Sequence, residues 1–145
     1  LALYRAKGDY NTAVGFSAAY NAGNQTTAIG GFAGWGLSEN AQSNTAVGYA
    51  SVGGSAAFNS SNGDHNTGTG YRSLQEVTSG QQNVGFGGYS LSNVTTGVGN
   101  TSIGYSAGTG LSTGSYNTLV GWDAEVVGQY DNNSIVIGKG ARGKG

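Results

Sequence analysis

The residues of this chain that could carry catalysis are few and scattered. A single histidine, His65, follows Asp64. Nucleophilic catalysis needs a base within hydrogen-bond reach of the nucleophile and a third group that orients the base, and no spacing in the chain identifies such a set. Cleavage of a glycan needs two carboxylates within a few ångströms. Only convergence between chains would bring acidic residues together, the candidates being Asp9, Asp64, Asp123, Glu125 and Asp131. We therefore expect no enzyme and no catalytic residue.

Metal and nucleotide sites have equally little support. One histidine and no cysteine exclude the usual zinc sites. Asp131, Asn132 and Asn133 offer the oxygen ligands that calcium prefers, but the same residue types build corner turns, and we interpret them as a turn. The segment 138–143 fits G-x-G-x-x-G, yet a dinucleotide site also needs a helix after the loop, and the last two residues do not supply one. We expect no metal and no cofactor.

The composition excludes an ordinary globular core. The 145 residues include 29 glycines, and Leu, Ile, Val and Phe make up about 18% of the chain, under the rough 20% line that warns of disorder. The net charge of −1 removes the repulsion that disorder usually also requires, and it gives no attraction for nucleic acid or for an anionic membrane. No run of 18 apolar residues is present, so we expect no membrane insertion. The first residue, Leu1, suggests a fragment or processed piece of a longer chain.

A motif that ends in glycine recurs eight times. NTAVG stands at 11–15 and 44–48, TTAIG at 26–30 and NTGTG at 66–70, and NVGFG, NTSIG, NTLVG and NSIVIG end at 87, 104, 121 and 138. The closing glycines are 15, 18, 22, 17, 17, 17 and 17 residues apart, a period typical of solenoids. We treat 1–145 as a single repeat domain of about eight rungs, which close at Gly15, Gly30, Gly48, Gly70, Gly87, Gly104, Gly121 and Gly138.

Each position relative to the closing glycine has its own residue type. A glycine stands seven residues earlier in six rungs, Val or Ile usually stands directly before, Ala or Ser always stands three residues after, and an aromatic residue follows in seven rungs. Asparagine stands four residues earlier in six rungs: Asn11, Asn44, Asn66, Asn83, Asn100 and Asn117.

These columns predict one short strand per rung. Thr-Ala-Val alternates as a strand with two different faces does, and the glycines allow tight corners or close backbone contact. We expect asparagine at a left-handed turn, with its amide bonded to the next rung, and a close neighbouring backbone at the small column. Parallel rungs about 4.8 Å apart would form a rod of about 40 Å.

The apparent core of each rung is thin. We count one medium-sized apolar residue and one aromatic per rung, worth roughly 1.5–3 kcal/mol each when buried. Ordering some 17 residues costs about 1–2 kcal/mol per residue. We therefore predict that several chains share one axial core.

The motif G-x-x-N-T-A-V/I-G-Y-x-A/S resembles the head repeats of YadA-like trimeric autotransporter adhesins, most closely in NSIVIGKGA at 133–141. The commoner N-T-A-V-G-Y form is similar to repeats of trimeric bacteriophage and algal-virus tail fibres, and the longer, aromatic-containing rung favours that side. The likeness spans about Gly8 to Ala141. It implies a left-handed parallel β-roll, a homotrimer around a shared axis, and attachment to a host surface.

The irregular intervals are the candidate binding regions, since insertions in solenoids map to loops that often bind partners. They add residues around 34–42 and 53–64. The candidate receptor-binding residues are Trp35, Glu39, Phe58, Asn59, Asp64 and His65. A plain surface loop is the alternative for them. The aromatic column is either packing between rungs and subunits or a surface for stacking sugars.

We predict an extracellular structural and attachment module, in a virion tail fibre or on a bacterial surface, with a glycan or protein receptor on the host cell. The alternative is a monomeric ice- or carbohydrate-binding solenoid, for which the threonine column would supply a regular face. A capsule depolymerase is a third reading.

Overall fold

The structure, a computed structural model, describes residues 1–53 and 61–144. Within these ranges the chain forms ten short β-strands and no helix. The strands are β1 (Thr12–Val14), β2 (Thr27–Ile29), β3 (Thr45–Val47), β4 (Thr67–Thr69), β5 (Val84–Phe86), β6 (Thr101–Ile103), β7 (Thr118–Val120), β8 (Glu125–Val126), β9 (Ile135–Ile137) and β10 (Arg142–Gly143).

Eight strands form one parallel sheet in the order β1-β2-β3-β4-β5-β6-β7-β9. Each strand pairs with the equivalent residues of the next repeat, so that Thr101 lies opposite Thr118 and Thr118 opposite Ile135. The chain thus returns to the same strand position once per repeat and forms a β-solenoid of about seven turns. This confirms the prediction of an all-β solenoid of parallel strands. β8 and β10 add a two-stranded parallel sheet near the last rung.

In the eight-stranded sheet the middle residue of each strand points into the solenoid, and its two neighbours point outward. Ala28, Gly85 and Leu119 are buried, whereas the residues on either side of them are exposed or half-buried. This is the alternation expected of a strand whose two faces differ. The outward position before the middle residue is Thr in six of the eight strands, and the one after it is Val or Ile in six, so the sheet shows two nearly regular rows to its surroundings.

The core is built from columns other than the ones predicted. Leu37, Leu74, Leu91, Leu111 and Leu119 are fully buried, together with Val52, Val77 and Val94 and a set of alanines. The Val or Ile before each closing glycine and the aromatic after it lie on the outside. The prediction that these two columns form the core was wrong, because the middle residue of each strand turns inward and the Val or Ile after it therefore turns outward. The single chain has a core of its own.

The closing glycines combine unusual backbone angles with close contact between rungs. Their φ values lie between 126° and 141°. A Cβ on Gly87 would stand 2.4 Å from the carbonyl oxygen of Gly104, and one on Gly104 would stand 2.3 Å from that of Gly121. No side chain can fill that space, so glycine is required by both conformation and packing.

The asparagines form a buried ladder along the axis. The Nδ2 of Asn100 donates to the carbonyl of Gly114 at 2.9 Å and to Oδ1 of Asn83 at 3.0 Å, and its Oδ1 accepts the N–H of Asn117 at 3.0 Å. This confirms the predicted bonding between rungs. The left-handed residue is instead the one before each asparagine, such as Tyr116 at φ 60°. The asparagine was misplaced by one position because its role is to bridge backbones, not to turn the chain.

Candidate functional site

One side of the solenoid carries a continuous ladder of aromatic rings. Ring centroids of consecutive rungs lie 5.3–5.8 Å apart from Phe16 to Tyr105, and the Tyr49 and Tyr71 rings are stacked at 13°. These distances are those of favourable aromatic pairs. We call this column the aromatic row; its members are Phe16, Phe32, Tyr49, Tyr71, Tyr89, Tyr105 and Trp122.

Two arrangements of the chain place a ring in this row. In most rungs the aromatic residue follows the closing glycine directly. In the rungs of Phe32 and Tyr89 it comes one residue later with a left-handed φ of 57° or 58°, after Gly31 or Gly88. A Cβ on Gly88 would stand 3.2 Å from the Tyr105 ring, so the second glycine leaves room for the neighbouring ring.

An outward aliphatic row runs beside the aromatic row, formed by the residue before each closing glycine. Val14, Ile29, Phe86, Ile103 and Ile137 in it are 41–68% exposed. In the aromatic row Phe16, Tyr49, Tyr71, Tyr105 and Trp122 are 44–68% exposed. We call the two rows together the apolar stripe. It extends over all eight rungs on the surface of the single chain.

Cations border the stripe, and its tyrosines affect one another. The Arg72 guanidinium lies 5.2 Å from the Tyr71 ring centroid, and the Lys139 ammonium 5.3 Å from the Trp122 ring centroid, both within cation–π range. Partial burial, followed by the nearby Tyr71 hydroxyl, raises the pKa of Tyr89 above its ordinary value. The phenol of Tyr89 is therefore held in its neutral form.

Two of the predicted receptor-binding residues lie in the first insertion. The Trp35 ring packs edge-on to Phe32, with centroids 6.2 Å apart, and so flanks the aromatic row. Glu39 forms an ion pair of 2.5 Å with Lys7 on the surface. The insertion itself is anchored, because Leu37 pairs with Ser61 and the Ser38 hydroxyl donates to Asn62.

Of the other predicted binding residues, two lie in a regular corner of the solenoid and two lie outside the described residues. The Oδ1 of Asp64 accepts the N–H of Gln42 at 2.8 Å, as Asn132 does for Ser115 in a later rung. His65 is exposed and takes the left-handed position before Asn66, with φ 57°. Phe58 and Asn59 lie outside the described residues. Receptor binding by all six residues stays a prediction.

The acidic residues have separate structural partners. Glu125 is 2% exposed, and it accepts the Thr109 hydroxyl at 2.6 Å and the Gly110 N–H at 2.9 Å. The Oδ2 of Asp131 accepts the N–H of Gly128, and Asp123 meets Arg142 on the surface at 3.4 Å. Within residues 1–53 and 61–144 no three acidic or histidine side chains group as metal ligands would. Over 138–143 the chain forms a corner and then strand β10.

The outward position of the two rows was missed, although the Thr-Ala-Val alternation contains the signal. If the small middle residue faces a crowded interior, then the larger flanking residues must face out. A second surface, built from hydroxyls and amides on the last four rungs, was also missed because those side chains share no motif.

No helix among the described residues is long and apolar enough to cross a membrane. No protein-family model matches the chain, and no curated protein or solved structure shows significant similarity to it.

Proposed function

We propose that this chain is a structural and attachment segment of a homotrimeric fibre, in which the apolar stripes of three chains face one another around a shared axis. The observation that carries the proposal is the stripe itself. The chain encloses its own core, yet it leaves Ile, Val, Phe, Tyr and Trp in two outward rows, of which the aliphatic row is interrupted only by Thr69 and the aromatic row ends at Trp122. Scattered apolar residues on a surface need no explanation, but two adjacent rows that together place an exposed or half-buried apolar residue in every rung call for a partner.

The size of the stripe supports an interface between chains. An aromatic side chain buries roughly 150–250 Å² when it is fully covered, and five rings of the row are about half exposed, which leaves several hundred Å² of aromatic surface. With the aliphatic row added, the area approaches the roughly 800 Å² that each partner contributes to an interface of standard size. A second chain with the same rung spacing matches this surface rung by rung.

The number of chains and the biological role rest on the resemblance of the repeats. G-x-x-N-T-A-V-G-Y repeats resemble those of trimeric adhesin heads and virus tail fibres. From that resemblance we take three chains, left-handed winding, an extracellular place on a virion tail fibre or a bacterial surface, and adhesion to a host cell. Stiffness along the axis suits such a role, because every rung is hydrogen-bonded to the next.

The mass of the full chain in solution tests the proposal. Light scattering at micromolar concentration should give three times the 14.5 kDa of one chain. Replacing Tyr71 and Ile103 in the stripe by Ser should weaken the trimer. The same change at Tyr10 and Val127, which are 87% and 69% exposed outside the stripe, should not. A monomeric parent chain would rule out the fibre, and a double stripe variant as trimeric as the parent would rule out the stripe as the interface.

An ice-binding solenoid is the second candidate, because the threonine row also faces outward. Thr27, Thr45, Thr67, Thr101 and Thr118 are half-buried and stand in register on successive strands. Val84 and Ile135 interrupt the row, which favours the fibre. Inhibition of ice recrystallisation by a monomeric chain would favour this candidate over the trimer.

A further inference from the structure

A polar surface whose exposed side chains carry no charge lies outside the apolar stripe on the last four rungs. It is formed by the corner that precedes each strand. Hydroxyl and amide side chains dominate it, and the exposed ones are Gln81, Gln82, Thr96, Thr113, Asn132 and Asn133. We call this the amide corner. Amides and hydroxyls both donate and accept hydrogen bonds, as the hydroxyls of a sugar do.

Charge is absent from most of this part of the chain. The 46 residues from Val77 to Trp122 contain no Asp, Glu, Lys, Arg or His. Asp131, at the far end of the corner, is turned to the N–H of Gly128. The exposed side chains of the amide corner therefore offer no charge that would pair with a polyanion or a polycation. The ligand that suits it is neutral and rich in hydroxyls.

An aromatic ring lies in the middle of the amide corner. Tyr116 is 62% exposed, although it is not part of the apolar stripe. One edge of its ring rests on Gly99 of the preceding rung, where a Cβ would stand 2.9 Å from Cδ1 and 3.0 Å from Cε1. The missing side chain at Gly99 therefore makes the place for the ring, and much of the ring remains open to a ligand.

The backbone beneath the ring holds the neighbouring side chains at fixed heights. Gln82, Tyr116 and Asn133 all occupy the left-handed position before the ladder, with φ of 55–60°. Asn117 follows Tyr116 and belongs to the asparagine ladder. Its Nδ2 donates to Oδ1 of Asn100, and its Oδ1 accepts the N–H of Ser134. At the usual strand spacing Gln82 lies about 10 Å before Tyr116 along the axis and Asn133 about 5 Å after it. An elongated ligand along the axis would meet an amide on either side of the ring.

We infer that the amide corner binds a neutral oligosaccharide, with the Tyr116 ring stacked on the C–H face of one sugar unit and the amides of Gln82 and Asn133 bonded to hydroxyls on the units beside it. Aromatic rings favour such a contact because one flat face is apolar while the rim and hydroxyl stay wet. A nucleic acid would need cations that this surface lacks, and an apolar segment would be better accommodated by the stripe. The inference names the class of ligand that the proposed attachment segment would bind. Its biological role, though not the binding itself, rests on the proposed function.

Saturation-transfer NMR and calorimetry on the full chain test the inference. The probes are the neutral hexasaccharides of glucose in α-1,4 and β-1,4 linkage, of mannose and of N-acetylglucosamine, and an oligomer of sialic acid is the charged comparison. We expect binding of at least one neutral probe and none of the sialic acid oligomer. Tyr116→Ala should reduce the affinity by about tenfold or more, whereas Tyr116→Trp should retain it because stacking is kept.

Tyr10→Ala is the matched control, since Tyr10 occupies the same position in the first rung and is 87% exposed but has Lys7 and Asp9 beside it. It should leave the affinity unchanged. The inference is overturned if no neutral probe binds, if Tyr116→Ala binds as the parent does, or if Tyr10→Ala loses binding equally. The mass of the same sample separates the two proposals. A trimer that binds no sugar overturns only this inference, and a monomer that binds sugar overturns only the fibre.

Discussion

At the scale of single residues, the asparagine ladder is a row of buried polar groups that bond to one another and to the backbone. Each member from Asn66 to Asn117 is almost fully buried and bonds to backbone groups of two rungs. Buried polar groups cost free energy when they lose their partners, and neighbours in a network lose them together. The ladder is therefore where a small change should have a large effect.

We expect Asn83→Ala to lower the free energy of unfolding by about 2–5 kcal/mol, because it leaves the Gly97 carbonyl and the Asn100 N–H without partners in the interior. Asn66 Oδ1 loses one of its two donors and keeps the backbone N–H of residue 83. Urea denaturation at one protein concentration measures the change. The control is Asn93→Ala, an exposed asparagine with a single bond to the Thr109 carbonyl, for which the loss should stay under about 1 kcal/mol. Equal losses in both variants would contradict the role of the ladder.

The ladder has one interruption that a substitution can repair. Thr26 stands in the asparagine column, and its buried hydroxyl has no hydrogen-bond partner. An asparagine there would accept the N–H of Asn44 and donate to the Ala41 carbonyl, as the equivalent residues do in later rungs. We expect Thr26→Asn to stabilise the chain by about 0.5–1.5 kcal/mol in the same denaturation experiment. Thr27→Asn, one position later on the outer face, should bring no such gain.

At the scale of the element, each strand depends on the closing glycine that ends it. A side chain at Gly87 would both strain a φ of 135° and collide with the next rung. We expect Gly87→Ala to cost more than about 3 kcal/mol. Gly140→Ala is the comparison, since it has φ 63° with nothing within 4 Å of the added Cβ, and strain alone should cost it roughly 1–2 kcal/mol. Thermal unfolding followed by circular dichroism ranks the two variants.

The aromatic row should respond to alkali. Because the pKa of Tyr89 is higher in the folded chain than in the unfolded chain, its neutral phenol contributes stability that is fully present below about pH 10. That contribution is lost as the pH rises through the folded-state pKa. We expect Tyr89→Phe to lose less stability than the parent between about pH 9 and about pH 12. An unchanged alkaline slope would contradict this.

Some structural elements could be predicted from the sequence and others could not. The strands at 12–14, 101–103 and 118–120 followed from the repeat, because identical spacing in the chain forces identical pairing in a solenoid. The buried leucines did not, since Leu74 and Leu91 lie in corners between motifs, where a left-handed φ of 51–53° turns them inward. Tyr116 did not either, because its exposure depends on Gly99 in another rung. What the sequence misses in both cases is the direction in which a corner points its side chain.

At the scale of the whole molecule, the rungs are exchangeable units that bond to their neighbours. We expect removal of residues 88–104, one full repeat, to leave a folded and shorter solenoid, because Gly87 then precedes Tyr105 and every column stays aligned. Removal of only residues 88–95 should abolish folding, since half a rung turns the next strand away from the sheet. Circular dichroism and thermal melting compare the two deletions, and the reverse order of stability would contradict the modular description.

The stacking of rungs also decides how the molecule bears mechanical load. A pull along the axis passes through every junction between rungs in turn, so each junction carries the same tension, and the one with the fewest bonds opens first. At the Thr26 position the side-chain bridge that asparagine makes in later rungs is missing, and we expect the junction there to be the weaker one. A fibre built this way would yield at a defined point near one end while its remaining length stayed intact.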